Sequence, residues 1–355
     1  MFSQPQKILL GICLLGLGFL LGTLLRWPTP LISKPDNFVR VYPPIIKATF
    51  DPGSDIFNKL LNENYTRAQR VGFNTVYIYV NHDYDQGTLK LVSPIGGPHF
   101  SSTAQAEYEE LIRAAKQKGY AVLLALQFAM PNSNPLGVPQ EQFLRDAEAA
   151  AQQWAAIAEQ YQVEFFAPGS EIDVPLRYEY FGGNGNRDDE VFALTNAYHQ
   201  VVLPAITQVF QGKTVYQHSY SARGEVEAAG YDLIGIDFNH ANLPLAQFPA
   251  YVRKVYAQAA QAAKTSQTDW YVAEYWANFR GKGQGPQPGE VLKNQAGQSL
   301  DELQDDYLHI ATTEYLKFTG DPAPQGFGVM SYQHPLAQII DRPAEKVLTE
   351  FFRQL

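Results

Sequence analysis

The chain has 355 residues, 45% of them hydrophobic, so it is long enough for one large domain or two average ones and too apolar for a disordered chain. Acidic residues outnumber basic ones by 36 to 27, and the net charge of −9 excludes nucleic acid as a partner, because phosphate backbones are bound by clusters of Lys and Arg. The single cysteine, Cys13, excludes a disulfide scaffold and a cysteine-ligated zinc site.

The chain begins with an uncharged apolar segment, residues 8–25, which is bounded by Lys7 and Arg26. As a helix with a rise of about 1.5 Å per residue it reaches roughly 27 Å, close to the thickness of the hydrocarbon core of a bilayer. No small-x-small cleavage site follows it, which favours an uncleaved anchor over a signal peptide. We therefore expect residues 1–30 to contain one hydrophobic helix that anchors an extracytoplasmic protein in the membrane. Cleavage would instead give a secreted protein.

Residues 31–355 contain short β-branched and aromatic segments that alternate with amphipathic helical segments, as in a β/α array. The predicted strands are 45–50, 75–81, 121–130, 164–172, 214–220, 233–239, 270–276 and 328–332. The predicted helices are 55–71, 102–118, 139–161, 190–210, 222–229, 245–264, 301–318 and 342–354. This count predicts an α/β fold, the (β/α)8 TIM barrel. A doubly wound open sheet is the alternative, but its glycine-rich phosphate-binding motif does not follow the first strand.

Three of the predicted connections from a strand to the next helix are long: residues 82–101, 173–189 and 277–299. The predicted connections from helices back to strands are short. Ligands of a TIM barrel bind at the face that the strand-to-helix loops build, at the carboxyl ends of the strands. We therefore expect the functional site at that face.

Two predicted strands carry a glutamate close to the carboxyl end, Glu171 on strand four and Glu274 on strand seven. Burying a carboxylate at the end of an apolar strand is costly unless the group has a partner or a task. Strands four and seven lie across the barrel from each other, so both side chains can reach its mouth. A carboxyl pair about 5–5.5 Å apart is what retaining glycoside hydrolysis requires. The structural alternative is that each glutamate pairs with an arginine or caps a loop.

Glutamates on strands four and seven resemble the arrangement in clan A retaining glycosidases. Residues 154–171 are similar to the approach to strand four in family 113 β-mannanases, where a helix leads into a Gly-Thr-Glu motif. Residues 72–76 and 233–237 also resemble the clan, and the likeness spans about residues 40–340. The resemblance implies that Glu171 is the general acid/base and Glu274 the nucleophile. It also implies a β-linked oligo- or polysaccharide substrate, mannan-like as a first expectation, and neither a cofactor nor a metal.

Two positions differ from the pattern of the clan. Ser170 precedes the first glutamate where most members have Asn, and strand two ends in residues 79–82 without the arginine of the clan. These differences leave open a second hypothesis, a membrane-tethered barrel that binds glycans without turnover.

The other predicted strand ends carry neutral polar and aromatic side chains, which suit a sugar-binding cleft. Trp276 follows Glu274 by two residues, so it shares the same face of the strand and is the candidate for stacking on a sugar ring. The full set of predicted substrate-binding residues is Asn81, Gln127, Phe128, His218, Asp237, Asn239, Trp276, Tyr332 and His334.

A metal-dependent hydrolase on the same barrel is a third hypothesis. Its candidate ligands are His82, His218, His240, His334 and Asp237, all near predicted strand ends. The His-x-His motif that usually opens such sites is missing from strand one, and the chain has no His-Glu-x-x-His helix. We therefore assign no metal ligand from the sequence.

Overall fold

A computed structural model describes the protein over most of its length. The described residues are 37–50, 61–94, 99–128, 137–183, 187–219, 227–240, 243–276, 299–330, 339 and 342–355. The apolar segment 8–25 lies outside them, so the membrane anchor stays a prediction. Among the described residues, no helix is both long enough and apolar enough to cross a membrane.

Eight parallel strands close into a barrel, which confirms the predicted TIM-barrel fold. The first barrel strand closes the ring because it pairs with both the second and the last. A ninth strand forms an antiparallel hairpin with the second one. The strands are β1 (Ile46–Phe50), β2 (Thr75–Asp85), β3 (Thr88–Leu91), β4 (Ala121–Phe128), β5 (Phe165–Ala167), β6 (Lys213–Ser219), β7 (Leu233–Asn239), β8 (Asp269–Trp276) and β9 (Pro324–Val329).

Helices follow the barrel strands and cover the outside of the barrel. Those of the described chain are α1 (Leu61–Val71), α2 (Ala104–Gln117), α3 (Gln140–Gln160), α4 (Asp173–Phe181), α5 (Asp188–Thr207), α6 (Phe248–Ser266), α7 (Leu300–Lys317) and α8 (Ala344–Gln354). The predicted loop 173–189 was wrong, because it contains α4. Pro175 in the first turn and Gly182 with φ 64° after the last are the signals that mark this helix. The predicted helix at 222–229 lies mostly outside the described residues.

Several predicted strand ends differ from the structure. The predicted strand at 164–172 is only Phe165–Ala167, because Pro168 and Gly169 lead the chain into a turn. The predicted strand at 75–81 continues to Asp85, since the β2–β3 hairpin adds pairs beyond the rim of the barrel. The last strand begins four residues earlier than the predicted Gly328. The hairpin and the turn both lie at the carboxyl ends of strands, and they shape the mouth.

The interior of the barrel is filled by large aromatic side chains opposite small ones. Tyr77, Tyr79, Phe165 and Tyr271 contribute the bulk of this core. The alternation of ring and methyl side chains fills the tapering interior, so the barrel is a packed core rather than a channel. The alanines that face these rings are Ala48, Ala121, Ala125, Ala167 and Ala273.

The end of the barrel opposite the candidate site is held by a buried ion pair. Lys116 and Glu164 have side chains that are 4% and 0% exposed, and Lys116 Nζ donates to Glu164 Oε1. The carboxylate also accepts from the backbone nitrogen of Val41 and from that of Val122, both at 2.9 Å. The pair therefore joins α2, β4 and the segment that leads into β1.

We expect Glu164→Gln to lower the free energy of unfolding by about 3–5 kcal/mol, because it leaves the Lys116 ammonium buried without a counter-charge. Urea denaturation followed by circular dichroism measures this change. Glu350→Gln is the control, since Glu350 pairs with Lys346 at 3.9 Å on the exposed surface of α8 and should cost less than about 1 kcal/mol. Equal losses in the two variants would contradict the role given to the buried pair.

Candidate active site

Glu274 reaches the mouth of the barrel because β8 is irregular. Tyr271 and Ala273 both face the barrel interior, so a regular strand would turn Glu274 outward. The register with β7 shifts by one residue at this point, and Glu274 pairs with Asp237. This bulge returns Glu274 to the inner face. There Tyr79 Oη donates a hydrogen bond to Glu274 Oε2 at 3.2 Å, and the glutamate is 6% exposed.

Glycines on both neighbouring strands make room for the bulge. A Cβ on Gly328 of β9 would lie 2.2 Å from the carbonyl oxygen of Ala273, and one on Gly235 of β7 would lie 2.9 Å from the Ala273 Cβ. Neither distance is compatible with a side chain, so both positions need glycine for close approach. The position of Glu274 thus depends on three strands.

Glu171 reaches the mouth from a turn and not from a strand. The turn follows the end of β5 at Ala167 and leads into α4. Glu171 has φ +46°, which non-glycine residues rarely adopt and which costs about 1–3 kcal/mol. The turn is held by a bond from Ser170 N to Leu126 O at 2.7 Å and by one from Val174 N to Glu171 O at 2.9 Å. Strain of this kind at a half-buried carboxyl marks a candidate functional residue.

Burial of several carboxyl groups sets the electrostatics of the mouth, and the charge of Glu274 raises the pKa of two of its neighbours. Burial raises the pKa of Glu171 well above its usual range, and the charges of Glu274 and Asp173 raise it further. Burial raises the pKa of Glu274 to about 7, although the hydrogen bond from Tyr79 opposes the rise. Burial and the charges of Glu171 and Glu274 likewise raise the pKa of Asp237. Such a site can hold one carboxyl protonated beside another that ionises near neutral pH.

The structural alternative for the two glutamates finds no support in their contacts. Within the described residues, neither Glu171 nor Glu274 forms an ion pair with a lysine or an arginine. The buried pair of Lys116 and Glu164 shows how this chain satisfies a structural carboxylate.

A buried amide connects the mouth to the barrel core. Gln217 of β6 is fully buried and donates from Nε2 to Asp237 Oδ2 at 2.6 Å, while its Oε1 accepts from Tyr77 Oη. Gln217 Nε2 also lies 3.5 Å from Tyr79 Oη. Asp237 is 3% exposed, and its other oxygen, Oδ1, has no hydrogen-bond partner among the described residues. Asp237 therefore keeps one buried oxygen available in the mouth.

Five of the predicted substrate-binding residues lie at strand ends on the side of the mouth. Asn81 and Gln127 are paired in register on β2 and β4, and they continue the inward faces of Tyr79 and Ala125. Asn239 and Trp276 are paired at the ends of β7 and β8 and are half-buried. These four neutral side chains and the acidic Asp237 lie at the strand ends on the side of the two glutamates.

Other predicted residues lie elsewhere. Phe128 faces the helix layer, where its ring stacks on His82 at 5.4 Å, so we withdraw it from the mouth. His218 faces outward beside Tyr216, with ring centroids 5.9 Å apart. Burial lowers the pKa of His218, although the charge of Asp173 opposes this shift. Tyr332 and His334 lie outside the described residues.

Sequence reasoning missed two residues of the site, Tyr79 and Gln217. The period of two along a strand is the signal for both. On β6, Val215 faces the core, so Gln217 faces inward and His218 outward. On β2, Tyr77 and Tyr79 both face inward, and the second of them reaches Glu274.

The predicted histidines do not converge in the described part of the chain. His82 packs in the helix layer, and burial lowers its pKa to about 4. His240 packs against Tyr307, with ring centroids 5.7 Å apart. Among the described residues, no group of three or more His, Cys, Asp or Glu side chains is arranged to hold a metal ion.

A cavity of about 590 Å³ lies away from the mouth, between the β2–β3 hairpin and helices α2 and α3, with Trp154 in its wall. Two of its glutamine side chains already donate hydrogen bonds within the protein. Gln142 donates to Gly87 O at 2.7 Å, and Gln153 donates to Gln105 Oε1 at 3.0 Å. The lining of this cavity contains none of Glu171, Glu274 and Asp237, so the candidate active site is the acidic mouth.

No protein-family model matches the sequence, and no curated protein is similar to it in sequence. The structure is similar to solved glycoside hydrolases. A GH113 β-1,4-mannanase in a complex has 17% identity and a TM-score of 0.60, over 88% of this chain and 99% of its own. The GH113 β-mannanase of Alicyclobacillus acidocaldarius has 15% identity and a TM-score of 0.56, over 87% of this chain and 97% of its own. A β-glucuronidase from Dictyoglomus thermophilum has 8% identity and a TM-score of 0.56, over 90% of this chain and 51% of its own.

The chain has the TIM-barrel fold of these glycoside hydrolases. At identities of 8–17% the likeness establishes the fold, and it confirms the predicted resemblance to family 113 β-mannanases at that level. Substrate and residue roles must come from the geometry of this chain.

We expect Gly328→Ala to displace Ala273 and to break the hydrogen bond between Tyr79 and Glu274, because the new methyl group overlaps the Ala273 carbonyl. Overpacking of this kind costs about 1–3 kcal/mol. Crystal structures show the position of Glu274, and urea denaturation gives the loss. Gly87→Ala is the control: at φ +78° it also strains the backbone, but its methyl group enters open space at the hairpin turn, so it should lower stability without moving Glu274. A Gly328→Ala structure with Glu274 in place would contradict the role given to the glycine.

Proposed function

We propose that the protein is a retaining glycoside hydrolase that acts on a β-linked, uncharged glycan, with a β-mannan as the first candidate. The observation that carries the proposal is the pair Glu171 and Glu274: both carboxyls are desolvated at the mouth of a glycosidase-type barrel, and the charge of Glu274 raises the pKa of Glu171. We also propose that residues 8–25 anchor the enzyme in the membrane with its barrel outside the cytoplasm.

The two glutamates would divide the chemistry according to their pKa values. Protonated Glu171 donates its proton to the glycosidic oxygen while ionised Glu274 attacks the anomeric carbon, so that the C–O bond to the leaving group breaks and a glycosyl-enzyme forms. Glu171, now a carboxylate, takes a proton from a water molecule. That water attacks the anomeric carbon and releases Glu274. Two displacements give a product with the anomeric configuration of the substrate.

The charge of the mouth supports an uncharged substrate over an acidic one. Glu274, which is ionised in the proposed first step, would repel the carboxylate of a uronic acid, and that carboxylate would meet no lysine or arginine paired with Glu171 or Glu274 among the described residues. This distinguishes the proposed substrate from that of the β-glucuronidase with a similar fold. Asn81, Gln127 and Asn239 offer neutral amides to sugar hydroxyls, and Trp276 offers an aromatic face.

Glu171→Gln and Glu274→Gln should each lower the rate of reducing-sugar release from the best substrate by at least about 100-fold, because each removes one partner of the two-step reaction. A panel of β-mannans, β-glucans and β-galactans, with a glucuronide added, identifies that substrate. Asp85→Asn is the control, since Asp85 forms an exposed pair with Lys90 at 2.6 Å on the hairpin. It should retain wild-type activity.

Proton NMR of the first product tests the stereochemistry, and a product of inverted configuration would contradict the retaining mechanism. Rates unchanged in both glutamate variants would contradict the assignment of the site. Glycan binding by calorimetry without hydrolysis by the wild type would instead identify the barrel as a binding protein.

The activity should depend on pH as a bell-shaped curve. The kcat/KM should rise through about pH 7 as Glu274 ionises and fall at higher pH as Glu171 loses its proton. Tyr79→Phe should move the rising limb to higher pH, because the lost hydrogen bond had lowered the pKa of Glu274. Tyr271→Phe removes a buried hydroxyl that contacts Tyr77 at 3.5 Å, and it should leave the limb unmoved. A rising limb that is the same in Tyr79→Phe and in the wild type would contradict the assignment of Glu274.

A further inference from the structure

The turn that carries Glu171 is tied to the barrel on both sides of that residue. Before it, Ser170 N donates to Leu126 O of β4 at 2.7 Å. After it, the Asp173 carboxylate reaches β6, where Ser219 Oγ donates to Oδ2 at 2.7 Å and Ser219 N donates to Oδ1 at 3.3 Å. Glu171 therefore lies between anchors on the two strands that flank β5.

Asp173 is more deeply buried and more extensively hydrogen-bonded than an acidic residue in the first turn of a helix needs to be. An acidic residue in the first turn of a helix ordinarily interacts with the helix dipole from the surface. Asp173 is 1% exposed, and both carboxylate oxygens are bonded to Ser219 on another element. Burying a carboxylate is costly, and these two bonds offset only part of the cost. A buried, cross-linked aspartate two residues from a strained glutamate points to a task in holding that glutamate.

The charges around Asp173 are mixed. Burial raises its pKa, while His218, the two bonds from Ser219 and Arg177 lower it. Asp173 in turn raises the pKa of Glu171. The titratable or charged groups that face it are Glu171 in the turn, Arg177 on α4, Tyr216 and His218 on β6, and Asp237 on β7.

We infer that Asp173 is a positioning residue for Glu171: its two bonds to Ser219 hold the strained turn in the conformation that presents the Glu171 carboxyl to the mouth. The inference rests on the proposed function of Glu171 as general acid. The negative charge of Asp173 adds a second effect, since it favours the protonated form of Glu171 that proton donation requires. The hydrogen bonds of Asp173 and its negative charge can be tested separately, because different substitutions remove them.

Asp173→Ala removes both the anchor and the charge, and it should lower kcat by about 100-fold with KM changed less than about threefold, as expected for a misplaced acid with intact substrate binding. Asp173→Asn keeps an oxygen for Ser219 and loses the charge. It should keep most of kcat, and it should move the falling limb of the pH profile to lower pH, because Glu171 then deprotonates earlier. Ser219→Ala, which leaves the charge, should lower kcat without moving that limb.

Asp146→Asn is the matched control, because Asp146 is a half-buried carboxylate that accepts from Tyr84 Oη at 2.9 Å away from the mouth. It should change neither kcat nor the pH limbs. An Asp173→Ala variant with lowered thermal stability but wild-type kcat per folded molecule would overturn the inference. If that variant does not fold, Asp173→Asn and Ser219→Ala decide, and wild-type kcat and pH limbs in both would overturn it.

Two measurements need no turnover and keep this inference separate from the proposed function. Carbon-13 NMR of the Glu171 carboxyl should show a lower pKa in Asp173→Asn than in the wild type and no change in Asp146→Asn. A crystal structure of Ser219→Ala should show the turn at residues 168–172 displaced. If the wild type hydrolyses no glycan, the proposed function fails, yet these two results still support the positioning role of Asp173. An unmoved turn together with an unchanged pKa of Glu171 overturns the inference about Asp173.

Discussion

The desolvation of several carboxyl groups in one barrel mouth constrains the rest of this site. Glu171, Glu274 and Asp237 lie close enough that the charge of Glu274 raises the pKa values of the other two. Among the described residues no lysine or arginine pairs with Glu171 or Glu274, whereas Lys116 pairs with Glu164 at the opposite end of the barrel. The mouth instead offers neutral partners, a tyrosine hydroxyl to Glu274 and a glutamine amide to Asp237. The hydroxyl donor of Tyr79 lowers the pKa of Glu274, burial raises it, and the result is a carboxyl with a pKa of about 7, which suits acid–base chemistry.

Both glutamates are presented by departures from regular structure. Glu274 faces the mouth because a bulge at Ala273 reverses the alternation of β8, and Glu171 faces it from a left-handed turn. Each departure lowers stability and persists because its surroundings permit nothing else: Gly235 and Gly328 fit around the bulge, and bonds to β4 and β6 fix the turn. The left-handed turn at Glu171 and the bulge beside Glu274 both lie at the mouth, and departures of this kind mark candidate functional positions.

The sequence predicted the barrel and both glutamates for reasons that the structure makes plain. Alternating β and α segments carry the fold, and a glutamate after an apolar segment stands out as costly. The same reasoning placed Glu171 on a strand, because a pattern of residue types does not reveal the turn after Ala167. It selected His218 over Gln217, because it considered only how near each residue is to the end of its strand and not which residues face the barrel interior. The bulge at Ala273 depends on glycines of two other strands, and no local pattern contains that information.

Tyr79 links the core of the barrel to the candidate active site. The residue belongs to the aromatic interior together with Tyr77 and Tyr271, so its position is fixed by packing, and its hydroxyl meets Glu274 at the upper edge of that core. A neutral hydroxyl stabilises the charged form of Glu274 less than an arginine in contact would. The pKa of Glu274 therefore stays at about 7, while that of Glu171 is raised by the charge beside it. The aromatic core thereby holds in place the hydroxyl that opposes the effect of burial on the pKa of Glu274.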